Sequence, residues 1–221
     1  MLEIIGVPQS TFVRTVRIAC EEKGVAYRLT PAMPHSAAAS AVHPLGKIPV
    51  MRCGSMELFE SKAIATFVDR AFQGPRLFPE DPELLAKVEQ WVSVANAEMF
   101  PTIRVYLQGY FFPRTGDGTP DRAAIERVLP RVLEHLQVFE HAITPSGHLV
   151  GDTFSYADMN LLPVLANLRE CPETREMLDQ SKYLGKYFDG HSGRASLQAT
   201  LPPAVQRIER QVALSRDHSK L

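Results

Sequence analysis

Two hydroxyls stand where a helix is due to begin. Ser10 follows the apolar run "LEIIG" and a short loop, and precedes "TFVRTVRIACEEKG"; Ser61 precedes "KAIATFVDRAF". The first backbone N–H groups of a helix have no partner inside it, and the helix dipole adds positive potential there. A hydroxyl at that end is placed to stabilise an anion. Thr11 is a rival hydroxyl beside Ser10, and Glu60 sets a carboxylate beside Ser61. Either serine can equally be a plain N-cap, so residue type alone leaves both readings open.

Between them lies "GKIPVM", residues 46–51. Ile48, Val50 and Met51 read as a buried strand, with Pro49 inside it. Proline has no N–H to give a ladder and is confined to edges, bulges and turns. Lys47 adds a cation, and His35 lies in the loop before it.

Composition narrows the chemistry. The chain has 221 residues, 45% hydrophobic and 22% charged, with a net charge of -1. Those are the proportions of a globular protein, with no electrostatic case for nucleic acid. No apolar run approaches a membrane span, and the start carries no basic signal-peptide region. Cys20, Cys53 and Cys171 form no CxxC or zinc spacing, and the seven histidines form no HExxH. No metal site is expected, and a reducing cytoplasm fits an odd count of widely spaced cysteines.

The elements that must position these groups follow from periodicity and punctuation. "LEIIG" and "VAYRLT" read as strands around a helix that Gly24 stops, a βαβ unit with a parallel pair. A weak helix follows in "PAMPHSAAASAVHPLG". Two strands then flank a Gly54-Ser55 turn, and a helix opens at Ser61. The proline-rich stretch 74–83 reads as a linker between a domain at 1–75 and another at 84–221. No strand signal appears after residue 59. Long helical segments are expected in "LLAKVEQWVSVANAEMFPTIRVYLQGYFF", kinked at Pro101, and in "TPDRAAIERVLPRVLEHLQVFEHAI", bent near Pro130. "SYADMNLLPVLANLRE", "REMLDQSKYLGKYFDGH" and "PPAVQRIERQVALSR" complete a bundle. Ser155 and Asp158 form a capping box, with Phe154 and Met159 as its hydrophobic staple.

A small βαβαββα domain with a proline at the start of its third strand points to a thioredoxin-like α+β fold, here followed by an all-α bundle. Carried by "HPLGKIPVM", "ELFESKAIATFVD", "LFPEDP" and "LVGDTFSYADMNLLPVL", the chain resembles the cytosolic glutathione S-transferases. "GVPQSTFVRTVRIACEEKGVAY" and "EQW…EMFP" are most similar to the phi-type, plant-related branch and its bacterial relatives.

The resemblance implies a homodimeric, cytoplasmic detoxification enzyme that conjugates reduced glutathione to hydrophobic electrophiles. It implies no cofactor beyond glutathione as co-substrate, no nucleic acid and no membrane. It implies a cis bond before Pro49, with the Ile48 main chain pairing the cysteinyl part of glutathione. Ser61 and Glu60 would take the γ-glutamyl carboxylate and ammonium, and Lys47 and His35 the glycyl end. Ser10 or Thr11 would stabilise the thiolate. Phe12, Met99, Ile103 and Leu107 would line the electrophile pocket, unless the last three are bundle core. A glutathione-dependent peroxidase or isomerase, or a non-catalytic glutathione-binding module, would keep the same site.

Overall fold

In this computed structural model of the protein, residues 1–203 are described. The expected helix "PPAVQRIERQVALSR" lies outside the described residues from position 204 onward.

The first unit is a four-stranded sheet with β1 (Leu2–Ile5), β2 (Tyr27–Thr30), β3 (Val50–Cys53) and β4 (Met56–Phe59) in the order β2-β1-β3-β4. β1 and β2 are parallel, while β3 is antiparallel to both β1 and β4. Gly54, with φ 61°, turns the β3–β4 hairpin at the pair Cys53↔Met56. Helix α1 (Thr11–Lys23) crosses between β1 and β2, and α3 (Ser61–Ala71) follows β4 and packs on α1. The short α2 (Ala37–Ser40) lies in the loop after β2. Gly24 ends α1 in the left-handed conformation, its N–H returning to the Cys20 and Glu21 carbonyls, as its expected role as a helix stop requires.

One fully buried ion pair joins the far ends of these two helices. Lys23 Nζ lies 3.0 Å from Asp69 Oδ1, with side chains 1% and 0% exposed. Lys23 also donates to the Gly74 and Pro75 carbonyls, and Asp69 accepts the Leu77 N–H. The pair therefore binds α1, α3 and the interdomain linker at one point.

The rest is helical: α4 (Pro82–Ser93), α5 (Phe100–Phe111), α6 (Arg122–Ala142), α7 (Tyr156–Leu168), α8 (Pro172–Gln180), α9 (Leu184–Ser192) and α10 (Ala195–Ala199). α7 is buried along nearly its whole length, with Asp158 and Asn160 buried among its apolar residues. Its capping box forms as expected, and Asp158 does more than cap. Besides the Ser155 N–H, it accepts the Leu149 N–H at 2.8 Å and the Tyr187 hydroxyl at 3.0 Å.

Two readings change. The break in the first long bundle segment precedes Pro101. A π-helical stretch, Val94–Met99, joins α4 to α5, with the Phe100 N–H donating to the Ala95 carbonyl. It inserts an extra residue between two α-helical turns, and Pro101 then sits in the first turn of α5, where a missing N–H costs nothing. The segment "REMLDQSKYLGKYFDGH" is two helices rather than one. Glu140 of α6 accepts the N–H groups of Lys182, Tyr183 and Leu184 at 2.7–3.2 Å and so caps α9 from a distant part of the chain. A Cβ on Gly185 would come within 2.3 Å of the Leu178 carbonyl, so this close corner needs glycine.

Removing one partner of a buried pair leaves the other charge uncompensated, at about 3–5 kcal/mol. Asp69→Ala is expected to lower unfolding stability by that amount in urea titration. A loss under 1 kcal/mol would show that the pair does not hold the helix ends together.

Candidate functional site

Sheet topology brings the chemically equipped segments together. β4 runs in the same direction as β1, because each is antiparallel to β3. α1 starts beyond the end of β1 and α3 directly after β4, so both helix N-termini lie at one end of the sheet. β3 starts at that end too, since Val50 pairs with Ile5. The segment 46–49 thus arrives between the two helix starts.

At the first start, Ser10 is half-buried with φ -68° and ψ 126°. Its Oγ accepts the Val13 N–H at 3.4 Å. That cap uses a lone pair and leaves the hydroxyl proton available to a ligand. Thr11 differs. It is 6% exposed, and its hydroxyl oxygen accepts the Asn167 side-chain N–H of α7 at 3.2 Å. The Thr11 hydroxyl is thus part of the contact between the two domains.

The Ile48–Pro49 bond is cis. Neither the N–H nor the C=O of Ile48 has a hydrogen-bond partner among the described residues. Such a segment can pair with an added extended peptide. His35, at φ 62°, donates its N–H to the Gly46 carbonyl at 2.7 Å, which brings it to this loop. A Cβ on Gly46 would lie 2.7 Å from His35 Nδ1, so the two backbones approach only because Gly46 has none. Lys47 is exposed, with no ion pair among the described residues.

At the second start, Glu60 adopts φ 68° and ψ 119°. A non-glycine residue in that region costs of order 1–3 kcal/mol and marks a site that the surroundings enforce. Ser61 is buried, and its Oγ accepts the Tyr156 hydroxyl of α7 at 3.4 Å. Burial pushes the Tyr156 hydroxyl up from its ordinary range, so it stays a neutral donor. With its oxygen taken by Tyr156, the Ser61 hydroxyl has its own proton to offer.

His43 joins the site without having been singled out in the sequence. It is 3% exposed and packs against Phe59 at a tilt of 42°, with ring centroids 4.7 Å apart. Its Nδ1 accepts the Leu45 N–H at 3.0 Å, which puts the ring proton on Nε2. Nε2 lies 3.5 Å from the Glu60 carboxylate. "HP" before a strand gives no sign of this, because only the sheet brings residue 43 to residue 60.

Comparison with known families decides what this arrangement belongs to. Residues 4–76 match the model of the glutathione S-transferase N-terminal domain, and residues 83–192 that of the C-terminal domain. The chain belongs to the glutathione S-transferase family. It is 29% identical to glutathione S-transferase 3 of Zea mays over 217 residues, covering 91% of this chain and 96% of that protein. It is 28% identical to glutathione S-transferase 1 of Triticum aestivum, covering 94% and 93%. Among solved structures, a glutathione S-transferase-I bound with lactoylglutathione superposes with a TM-score of 0.79 at 26% identity, covering 90% and 97%. Glutathione transferase F7 of Populus trichocarpa shares the fold, with a TM-score of 0.80 at 23% identity and coverage of 90% and 97%.

In this transferase the residues expected to receive an electrophile divide. Phe12 is half-buried and meets Phe100 with ring centroids 4.5 Å apart, a contact between the two domains. Met99 and Ile103 are 0% exposed and Leu107 is 9% exposed. Met99 and Ile103 therefore present no surface to a cleft and belong to the bundle core, and Leu107 packs with them. Apolar residues at helical spacing face inward, and only the surrounding helices decide which face is inward.

Among the described residues no group of three or more His, Cys, Asp or Glu is placed to hold a metal ion. None of their helices is long and apolar enough to cross a membrane. Burial pushes the Cys20 and Cys171 thiols up to about 12, and Cys53 is half-buried on β3. At pH 8 the first two stay protonated and unreactive. Ellman's reagent is expected to titrate Cys53 alone in the native protein and all three thiols in urea. Rapid native labelling of Cys20 or Cys171, read by peptide mass mapping, would contradict this burial.

Proposed function

We propose that this transferase conjugates glutathione to an apolar electrophile and that the Ser10 hydroxyl stabilises the attacking thiolate. The observation that carries the reading is the convergence of two helix N-termini on an unpaired main-chain segment. The peptide would add to Ile48 as an antiparallel strand. Its γ-glutamyl carboxylate would take the Ser61 hydroxyl and the start of α3, and its ammonium would pair with Glu60. Lys47, with His35 beside it, would neutralise the glycyl carboxylate. The thiol then lies at the start of α1, where a hydrogen bond and the helix dipole both favour the thiolate. A fall of about two units from ~8.5 corresponds to about 2.7 kcal/mol. It would raise the thiolate fraction at pH 7 from a few per cent to roughly three quarters. The electrophile would enter beside Phe12 and Phe100, where the two domains meet.

Exposure supports Ser10 over Thr11 as the activator, since both hydroxyls accept one hydrogen bond but Ser10 is half-buried and Thr11 is 6% exposed at the contact with Asn167. We further propose a cytoplasmic homodimer. The apolar side chains of Met56 and Phe59, 43% and 38% exposed, support a two-fold contact near "SMELFESK" and the α4 side of the bundle. Sedimentation at micromolar concentration is expected to give the dimer mass, and a monomer alone would overturn that part.

Two measurements test the site. Glu60→Gln and Ser61→Ala each remove a charge-assisted bond, about 1.5–3 kcal/mol, so calorimetry should show glutathione affinity falling roughly tenfold or more. Unchanged affinity in both variants would rule out this end of the site. Ser10→Ala should leave affinity nearly intact while the bound thiol pKa rises by about one to two units. Turnover with a reactive aryl halide at pH 6.5 should then fall roughly ten- to hundredfold. The deficit should shrink as pH rises through the new pKa, because the thiolate then forms unaided. Thr11→Ala should cost about 1 kcal/mol of stability and leave that pKa in place. If thiolate absorbance titrates identically in wild type and Ser10→Ala, the catalytic assignment fails.

A further inference from the structure

Glu60 combines a strained backbone, at φ 68°, with a side chain that is 65% exposed. Among the described residues its carboxylate has one ion-pair partner, Nε2 of the buried His43, at 3.5 Å from Oε1. At that distance the contact orients the carboxylate without closing a tight hydrogen bond.

The imidazole itself has little freedom. The His43 N–H donates to the Ala39 carbonyl at 2.8 Å, and the His43 carbonyl accepts the Gly46 N–H at 2.8 Å. With Nδ1 taken by the Leu45 N–H, the proton on Nε2 points to Glu60. The Phe59 ring covers one side. The ring is therefore fixed by α2, by the loop that leads to Ile48 and by the residue that precedes Glu60. It bridges the unpaired segment at 46–49 and the start of α3.

A free glutamate side chain gives up rotamer freedom when it takes a ligand. A rigid N–H set on one carboxylate oxygen removes part of that freedom beforehand and leaves the second oxygen open. We infer that His43 is a positioning residue for glutathione: it holds the Glu60 carboxylate turned toward the γ-glutamyl ammonium and ties that end of the site to the Ile48 segment. This role rests on the proposed pairing of Glu60 with the ammonium. His43 acts through Glu60 and not on the thiol, so it governs binding and not the chemical step.

Two substitutions separate this role from a plain loop contact. His43→Asn keeps a short acceptor for the Leu45 N–H but does not reach Glu60. His43→Gln reaches Glu60 with an amide N–H but loses that acceptor. The KM for glutathione, measured with an aryl halide, is expected to rise roughly three- to tenfold in His43→Asn. At saturating glutathione, kcat and the thiolate titration should match wild type. His43→Gln should recover most of the affinity. The second probe is the desamino analogue of glutathione, which lacks the ammonium, titrated calorimetrically into the full chain. It should bind wild type more weakly than glutathione does, and bind His43→Asn as well as it binds wild type. Full glutathione affinity in His43→Asn, or equal weakening of glutathione and the analogue in that variant, would overturn the inference while leaving the Glu60 pairing intact. Wild type binding both ligands alike would instead remove the Glu60 pairing, and the role of His43 with it.

Discussion

The buried pair of Lys23 and Asp69 fixes the geometry on which the rest depends. It sits at the C-terminal ends of α1 and α3, fully out of water, and its remaining bonds go to the linker. Two helices clamped at one end, on one face of one sheet, have little freedom to diverge at the other. Their free N-termini are thereby held side by side. The same contact ties the start of the bundle to the sheet, because Leu77 leads directly toward α4. An interaction at one end of the two helices thus bears on the spacing of their starts at the other.

The bundle supports that end from behind. α7 is buried along nearly its whole length and so takes the centre, and its own polar residues reach the first domain. Tyr156 donates to Ser61 and Asn167 to Thr11. One helix therefore contacts the starts of both α1 and α3. Asp158 makes this possible. It caps α7 and ties it to Leu149 and Tyr187, which fixes how far the helix can slide. The π-helical stretch at Val94–Met99 has a similar positional effect. It re-aims the helical path so that Phe100 meets Phe12 across the domain boundary.

Local signals were legible because they rest on short-range physics. Gly24, the Ser155–Asp158 box and the Gly54-Ser55 turn each act within a few residues, so sequence alone locates them. The cis bond before Pro49 and the helix starts at Ser10 and Ser61 follow from a local pattern together with a family resemblance. The helix break near Tyr183 was not legible, since Glu140, which caps α9, is some forty residues away. His43 was not legible for the same reason.

By itself the sequence determined the kinds of elements, their order and which residues bring chemistry. Those are consequences of backbone propensity, capping and hydrophobic period, which act along the chain. Tertiary structure alone decided how two adjacent hydroxyls are partnered. Ser10 and Thr11 are both hydroxyl residues at the start of α1, but Ser10 is half-buried and accepts the Val13 N–H, while Thr11 is buried and accepts from Asn167. It also decided that Met99 and Ile103 are core, and that Arg14 is buried without a carboxylate partner among the described residues. Burial and partnership are properties of the packed whole, because they depend on which distant surfaces close over a side chain.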